Sequence, residues 1–156
     1  MDIRNCRETD VDEIRKFVKH SKPLDLHTAF TYWTLFKYFG DTCFVLEKKG
    51  RIIGFISGLL SSNQPNTLYL WQIGIDPDYR GNRYAEILLK RVVEAARAKD
   101  CKGLQITIAP ENRSSYRLFS RFALEQGLAM DKTGAIDIFD SLTKEKTIEN
   151  LYEIRI

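Results

Sequence analysis

Two periodicities alternate along the chain. After a short apolar start, IRNC, residues Val11, Ile14, Phe17 and Val18 recur at helical spacing, and Asp10 with Glu13 has the spacing of a capping box. A helix is expected there. HSKPLDLHTA interrupts it: Pro23 ends one element before the aromatic-rich AFTYWTLFKYF forms a second helix, with Gly40 placed to close it. TCFVLEKKGRIIGFISGLL then reads as strand, Lys-Gly turn and strand, a hairpin. SSNQPN is expected to be a loop and TLYLWQIGI the next strand.

Helical spacing returns in the second half. Ala85, Leu88, Leu89, Val92, Val93 and Ala96 share one face of a long helix. GLQITIA is a further strand, ended by Pro110, and ENRSSYRLFSRFALEQG a helix with Tyr116, Phe119, Phe122 and Ala123 at near-helical spacing. The tail offers two short strands, AIDIF and NLYEIRI, around a polar loop. Antiparallel strands followed by alternating helix and strand predict a mixed sheet flanked by helices. The expected fold is a single α+β (α/β mixed) domain over residues 1–156.

Composition excludes several partners. Lys plus Arg number 24 against 21 Asp plus Glu, too small an excess to argue for nucleic acid, although it suits a polyanionic cofactor. No apolar run is long enough to span a membrane, and the polar start MDIRNCRETD predicts no secretory leader. Cys6, Cys43 and Cys101 are odd in number and lack metal-ligand spacing, which reads as reduced thiols in the cytoplasm. His20 and His27 have no Cys or carboxylate at metal spacing beside them, so no metal site is expected.

The chemistry concentrates in GIDPDYRGNRYAEILL. A strand feeding a helix leaves backbone N–H groups unpaired at the helix start, and those donors suit a phosphate. Gly81 lets the backbone approach closely, while Arg80 and Arg83 add charge. A solvated basic turn is the plainer alternative. A second strand–helix junction follows, where Asn112 either caps the helix or bonds a ligand amide.

These junctions resemble the GNAT superfamily of acetyl-CoA-dependent N-acetyltransferases. The superfamily's loop pattern, Gln/Arg-x-x-Gly-x-Gly/Ala, is matched at Arg80 and Ala85, and its Asn-x-x-Ala-x-x-Leu-Tyr pattern is echoed by Asn112, Ser115, Leu118 and Phe119. The resemblance implies a mostly antiparallel twisted sheet. It also implies pyrophosphate binding by Gly81, Asn82, Arg83, Tyr84 and Ala85, and pantetheine pairing along Ile73, Gly74 and Ile75. Two positions depart from it. Arg83 stands where a glycine is usual, and Phe119 replaces a tyrosine that often protonates the departing thiolate. Phenylalanine has no proton to give, so Tyr116, Tyr84 or water is left for that role.

PLDLHTAFTYWTLFKYFGDTC, GFISG, PNTLYLWQIGIDPDYRG and TIAPENRSSYRLFSRFA are together similar to the diaminobutyrate acetyltransferase family of ectoine biosynthesis. That likeness implies acetyl transfer from acetyl-CoA to the γ-amine of L-2,4-diaminobutyrate, without a metal. An amine of pKa about 10 is neutral roughly once per thousand molecules at pH 7, equivalent to about 4 kcal/mol of barrier. A base or water relay is therefore needed beside it.

Asp25 is the first candidate to anchor an ammonium, its alternative being a helix cap. Trp71 is expected to wall the substrate chain or to pack in the core. Glu149 is a second carboxylate at the substrate end or a strand-edge charge. His27 is a candidate proton relay or a packed histidine, and Tyr32 either packs its helix or turns one face to substrate. With no evident acyl-carrying nucleophile, direct amine attack fits better than a covalent relay, with carbonyl polarisation by a strand bulge near Ile73 to Ile75. Other acceptors (a diamine, a polyamine, a protein N-terminus) and a non-catalytic acetyl-CoA-binding module remain open alternatives. The superfamily implies a homodimer through the C-terminal sheet, for which NLYEIRI is the candidate strand.

Overall fold

A computed structural model describes residues 1–156. Seven strands form one sheet: β1 (Asp2–Asn5), β2 (Cys43–Lys48), β3 (Arg51–Ser61), β4 (Gln64–Ile75), β5 (Gly103–Ile108), β6 (Met130–Asp140) and β7 (Glu145–Arg155). Four helices cover it: α1 (Val11–His20), α2 (Ala29–Phe39), α3 (Tyr84–Ala98) and α4 (Arg113–Glu125). The spatial order is β1-β2-β3-β4-β5-β7-β6, and every neighbouring pair is antiparallel except β4 with β5.

Alternation sorts β2 onto two cores. Phe44 and Leu46 join Ile56, Leu68, Leu88, Leu89, Val92 and Phe122 under α3 and α4. Cys43 and Val45 join Ile14, Phe17, Tyr32, Phe36 and Phe55 under α1 and α2. A strand apolar on both faces must be covered on both, and that requirement fixes the layering.

Several expectations need correction. The stretch expected as a loop, SSNQPN, is mostly strand, since β4 already begins at Gln64 and only a tight turn separates it from β3. Asp10 does not cap α1 with its side chain. Instead its carboxylate accepts the Arg7 N–H at 2.7 Å and two bonds from Arg4 at 2.8 and 2.9 Å, while Glu13 accepts the Ile52 N–H at 3.0 Å. Both tail strands run longer than their apolar centres. β7 lies between β5 and β6, so NLYEIRI is an interior strand and β6 is the free edge on that side.

Candidate active site

The sheet is incomplete where β4 and β5 part. They pair only from Thr67–Gly103 to Leu70–Ile106, while β4 runs on to Ile75 along β3. One extra residue, Trp71, bulges out of β4 between the pairs Ser57–Gln72 and Gly58–Leu70, turning the strand away. The bulge thus lies at Trp71, ahead of the expected Ile73 to Ile75. Asp76 N–H donates to the Ile53 carbonyl at 2.9 Å and Gln72 N–H to Ser57 Oγ at 3.0 Å, both towards β3. Backbone groups alternate in direction along a strand, so Ile73 and Ile75 turn theirs to the open side. The Ile75 carbonyl is taken by Arg80 Nε at 3.1 Å, which leaves Ile73 N–H, Ile73 C=O and Ile75 N–H free to pair.

This wedge opens into a cleft of about 810 Å³. The loop Ser21–Thr28 and the exposed edge of β4 form one wall, and Ile136, Ile138, Thr147 and Glu149 of the β6–β7 hairpin form the other. The starts of α3 and α4 close one end. Tyr69 and Thr107 mark the apex, their hydroxyls 2.8 Å apart just where the strands separate.

The turn into α3 is made by two left-handed residues, Gly81 at φ +78° and Arg83 at φ +61°. Arg83 therefore occupies the conformation that favours glycine, at a cost of about 1–2 kcal/mol. Its guanidinium reaches Glu125 and lies 3.5 Å from Glu86. Glu86, only 6% exposed at the first turn of α3, also pairs with Arg121 of α4. Arg80 serves the scaffold, with Nη2 donating to the Lys22 carbonyl at 3.0 Å in addition to its bond to Ile75. Arg80, Arg83 and Arg121 and the helix start bring hydrogen-bond donors to this end of the cleft, with Glu86 paired among the arginines.

The other end is anionic. Glu149 projects from β7 just past the last β5 pairing, and its Oε2 is buried with no hydrogen-bond partner. Burial holds its carboxyl above the ordinary carboxylate range, with Glu111 and Asp25 adding to the shift. Asp25 lines the same cleft from the opposite wall. The Trp71 and His27 rings lie between, 4.6 Å apart and tilted by 39°.

Most of the expected residues line this one cleft: Asp25, His27, Trp71 and Glu149 at its anionic end, and Ile73, Gly74, Ile75, Arg80, Gly81, Arg83, Tyr84, Ala85, Asn112 and Phe119 elsewhere. Three lie outside it. Tyr32 is fully buried in the second core, behind the lining residues Gln72, His27 and Trp71, so it is not a substrate contact. Tyr116 points away, its ring 5.6 Å from Tyr152 in a separate groove under α4, and it cannot protonate anything in the cleft. Asn82 is spent on the turn, donating to the Tyr79 and Arg80 carbonyls at 3.1 and 3.2 Å. Asn112 lines the cleft while capping α4 through the Ser115 N–H at 3.2 Å. Phe119 is 2% exposed and belongs to the main core.

Gln72, Glu86 and Arg121 were missed. The one available signal was Gln72 itself, a lone amide in the apolar run LYLWQIGI. None of the thiols is a nucleophile. Burial pushes Cys43 up to about 12 and raises Cys6 and Cys101, and all three lie outside the cleft.

A mixed sheet that splays at its single parallel pair, beside a left-handed turn into a helix, defines an acyl-CoA-dependent transferase architecture. The chain belongs to the acetyltransferase (GNAT) family, whose model matches residues 9–123. It is similar to L-2,4-diaminobutyric acid acetyltransferase of Halomonas elongata, 37% identical over 122 residues, which cover 78% of this chain and 64% of that protein. It is also 32% identical to the protein of the same name from Bordetella parapertussis over 126 residues, covering 80% and 68%. The chain thus spans just under two thirds of the Halomonas relative. A diaminobutyrate acetyltransferase from Paenibacillus lautus, solved with its substrate L-2,4-diaminobutyric acid and coenzyme A, superposes with TM-score 0.85 at 27% identity, covering 99% of this chain and 93% of that one. The ribosomal-protein-S18-alanine N-acetyltransferase of Escherichia coli, at TM-score 0.78 and 13% identity, shares the fold alone.

Proposed function

We propose that this chain acetylates the γ-amine of L-2,4-diaminobutyrate, using acetyl-CoA, as a step of ectoine biosynthesis. The observation that carries the reading is the charge order of a single cleft. Cations and a helix start lie at one end, an unpaired strand edge in the middle, and carboxylates at the other end. That order matches a ligand with phosphates at one end, an amide-bearing arm between, and a dicationic amino acid beyond it. The resemblance to named diaminobutyrate acetyltransferases supports the choice of acceptor.

Acetyl-CoA supplies an acetyl group already activated as a thioester. Backbone N–H groups of the α3 turn meet its pyrophosphate. Ile73 and Ile75 pair with its pantetheine arm, and a backbone N–H on this edge polarises the acetyl carbonyl. Asp25 holds the α-ammonium. Glu149, made more basic by burial and like-charged neighbours, accepts the proton that the γ-ammonium must lose before attack. Trp71 and His27 wall the chain between the two nitrogens. The departing thiolate, of pKa ~8.5, is protonated by water or by Tyr84.

Three free, buried cysteines suit a reducing cytoplasm. The edge strand β6, with Ile138, Phe139 and Ile148 exposed on its hairpin, suits a homodimer, which sedimentation would test. The decisive assay incubates the protein with acetyl-CoA and diaminobutyrate and identifies the product by mass spectrometry and NMR. N4-acetyldiaminobutyrate is expected. Turnover of spermidine or an N-terminal peptide, with none of diaminobutyrate, would overturn the assignment.

A further inference from the structure

The Asp25 carboxylate makes no hydrogen bond within the chain, and the residue is exposed. Its place is set through its backbone. Gln72, 6% exposed and directly after the Trp71 bulge, donates from Nε2 to the Asp25 carbonyl at 2.8 Å. The amide has only one workable orientation. A carbonyl can only accept, so Nε2 must face Asp25 and Oε1 must face Tyr32, whose hydroxyl then donates at 3.1 Å. The Gln72 backbone is pinned in turn by Ser57 Oγ at 3.0 Å.

The loop has other attachments, among them the His27 ring packed on Trp71 and edge-on to Tyr32. Arg80 holds the Lys22 carbonyl at 3.0 Å, Arg15 holds the His27 carbonyl at 3.1 Å, and Leu24 rests on Gly74. None of these acts on Asp25 directly. The chain Tyr32–Gln72–Asp25 is therefore the hydrogen-bonded path that runs from the buried core of α2 to Asp25 itself.

Resting on the function proposed above, we infer that Gln72 is a positioning residue that sets selectivity for acceptors bearing an α-ammonium, by holding Asp25 through its carbonyl. Tyr32 fixes the orientation of the amide. Asp25 is displaced, not removed, when this chain is broken, and an ion pair with a small ligand tolerates little displacement. A misplacement of about 1 Å can cost about a hundredfold in rate.

The test compares kcat/KM for diaminobutyrate and for 4-aminobutyrate, which keeps the reacting amine and the carboxylate but lacks the α-ammonium. Gln72→Met should lower the ratio of the two by about tenfold or more, while the acetyl-CoA Kd stays within about twofold. Gln72→Met leaves the Tyr32 hydroxyl buried and unpaired, so it should also lower Tm. The double variant Gln72→Met/Tyr32→Phe removes both partners and should recover Tm without recovering the ratio. In an Asp25→Asn background, Gln72→Met should lower the ratio no further. An unchanged ratio in the double variant would overturn the role, and so would recovery of the ratio together with Tm. Absence of diaminobutyrate turnover in the wild type would overturn the function itself, a separate and recognisable outcome.

Discussion

Arg83 and Glu125 join the residue that caps α3 to the last residue of α4, although the Arg83 backbone sits in a left-handed conformation costly to it. At a left-handed position that favours glycine, this chain uses a side chain that crosses to the neighbouring helix. Arg83→Gly relieves about 1–2 kcal/mol of backbone strain and loses an exposed pair worth at most about 1 kcal/mol. It should leave Tm almost unchanged and, on the proposed binding of the phosphates by backbone groups, the acetyl-CoA Kd within about threefold. Arg83→Val, β-branched in the same conformation, should lower both stability and affinity. Calorimetric titration and thermal melts of the two variants decide it, and a loss beyond tenfold in the glycine variant would make the guanidinium itself a phosphate ligand.

Glu86 places a buried negative charge beside the same helix start and occupies Arg121 and Arg83. Glu86→Gln should tighten acetyl-CoA binding about three- to tenfold at low ionic strength, with the gain shrinking in high salt as screening grows. It should also cost about 1–2 kcal/mol of stability, since the arginines lose a partner. Weaker binding at every salt concentration would show that Glu86 supports the phosphate site by orienting the arginines.

Glu149 links pH to stability and to activity. Its carboxyl holds a proton to higher pH in the folded chain than in the unfolded one, owing first to burial and then to Glu111 and Asp25. The folded state therefore has the advantage below the ordinary carboxylate pKa and loses it as pH rises through the raised value. Glu149→Gln should match the wild type in Tm near pH 4 and exceed it near pH 8. If Glu149 is the proposed proton acceptor for the γ-ammonium, kcat/KM for diaminobutyrate should fall about tenfold or more in this variant. Equal melting temperatures at pH 8 would refute the burial argument.

Gly74 permits a close approach: a Cβ there would stand 2.6 Å from Leu24 Cδ1. Gly74→Ala should destabilise the protein by about 1–3 kcal/mol and raise KM for the diamine, since Leu24 is next to Asp25. Adding Leu24→Ala should recover much of both losses. Additive losses in the double variant would mean that the contact is not what Gly74 provides.

Helices α1, α3 and α4 were legible because their apolar positions recur at helical spacing, α2 as an aromatic-rich stretch between Pro23 and Gly40, and β4 because its apolar run ends at a Pro-bearing turn. What periodicity cannot convey is which neighbour covers each face. Tyr116 and Phe119 are three residues apart in one helix, yet Phe119 enters the main core beside the cleft while Tyr116 packs on Tyr152 of β7. Tyr32 was recognisable as an inward aromatic but not as the donor to an amide forty residues away. Glu149 joined Asp25 only through the order of β5 and β7 in the sheet, a long-range pairing with no local trace. Motif spacing found the α3 turn and left unseen that Arg83 would be left-handed, which only the folded backbone reveals.

The parting of β4 and β5 has a consequence for solution behaviour. Exposed strand edges invite pairing with other chains, and proteins usually blunt them with charge, proline or a covering helix. Here the unpaired length from Trp71 to Ile75 lines a cleft and faces the β6–β7 hairpin across it. The sheet thus has two kinds of open edge: this one faces another part of the same chain across the cleft, whereas β1 and β6 are its terminal edges.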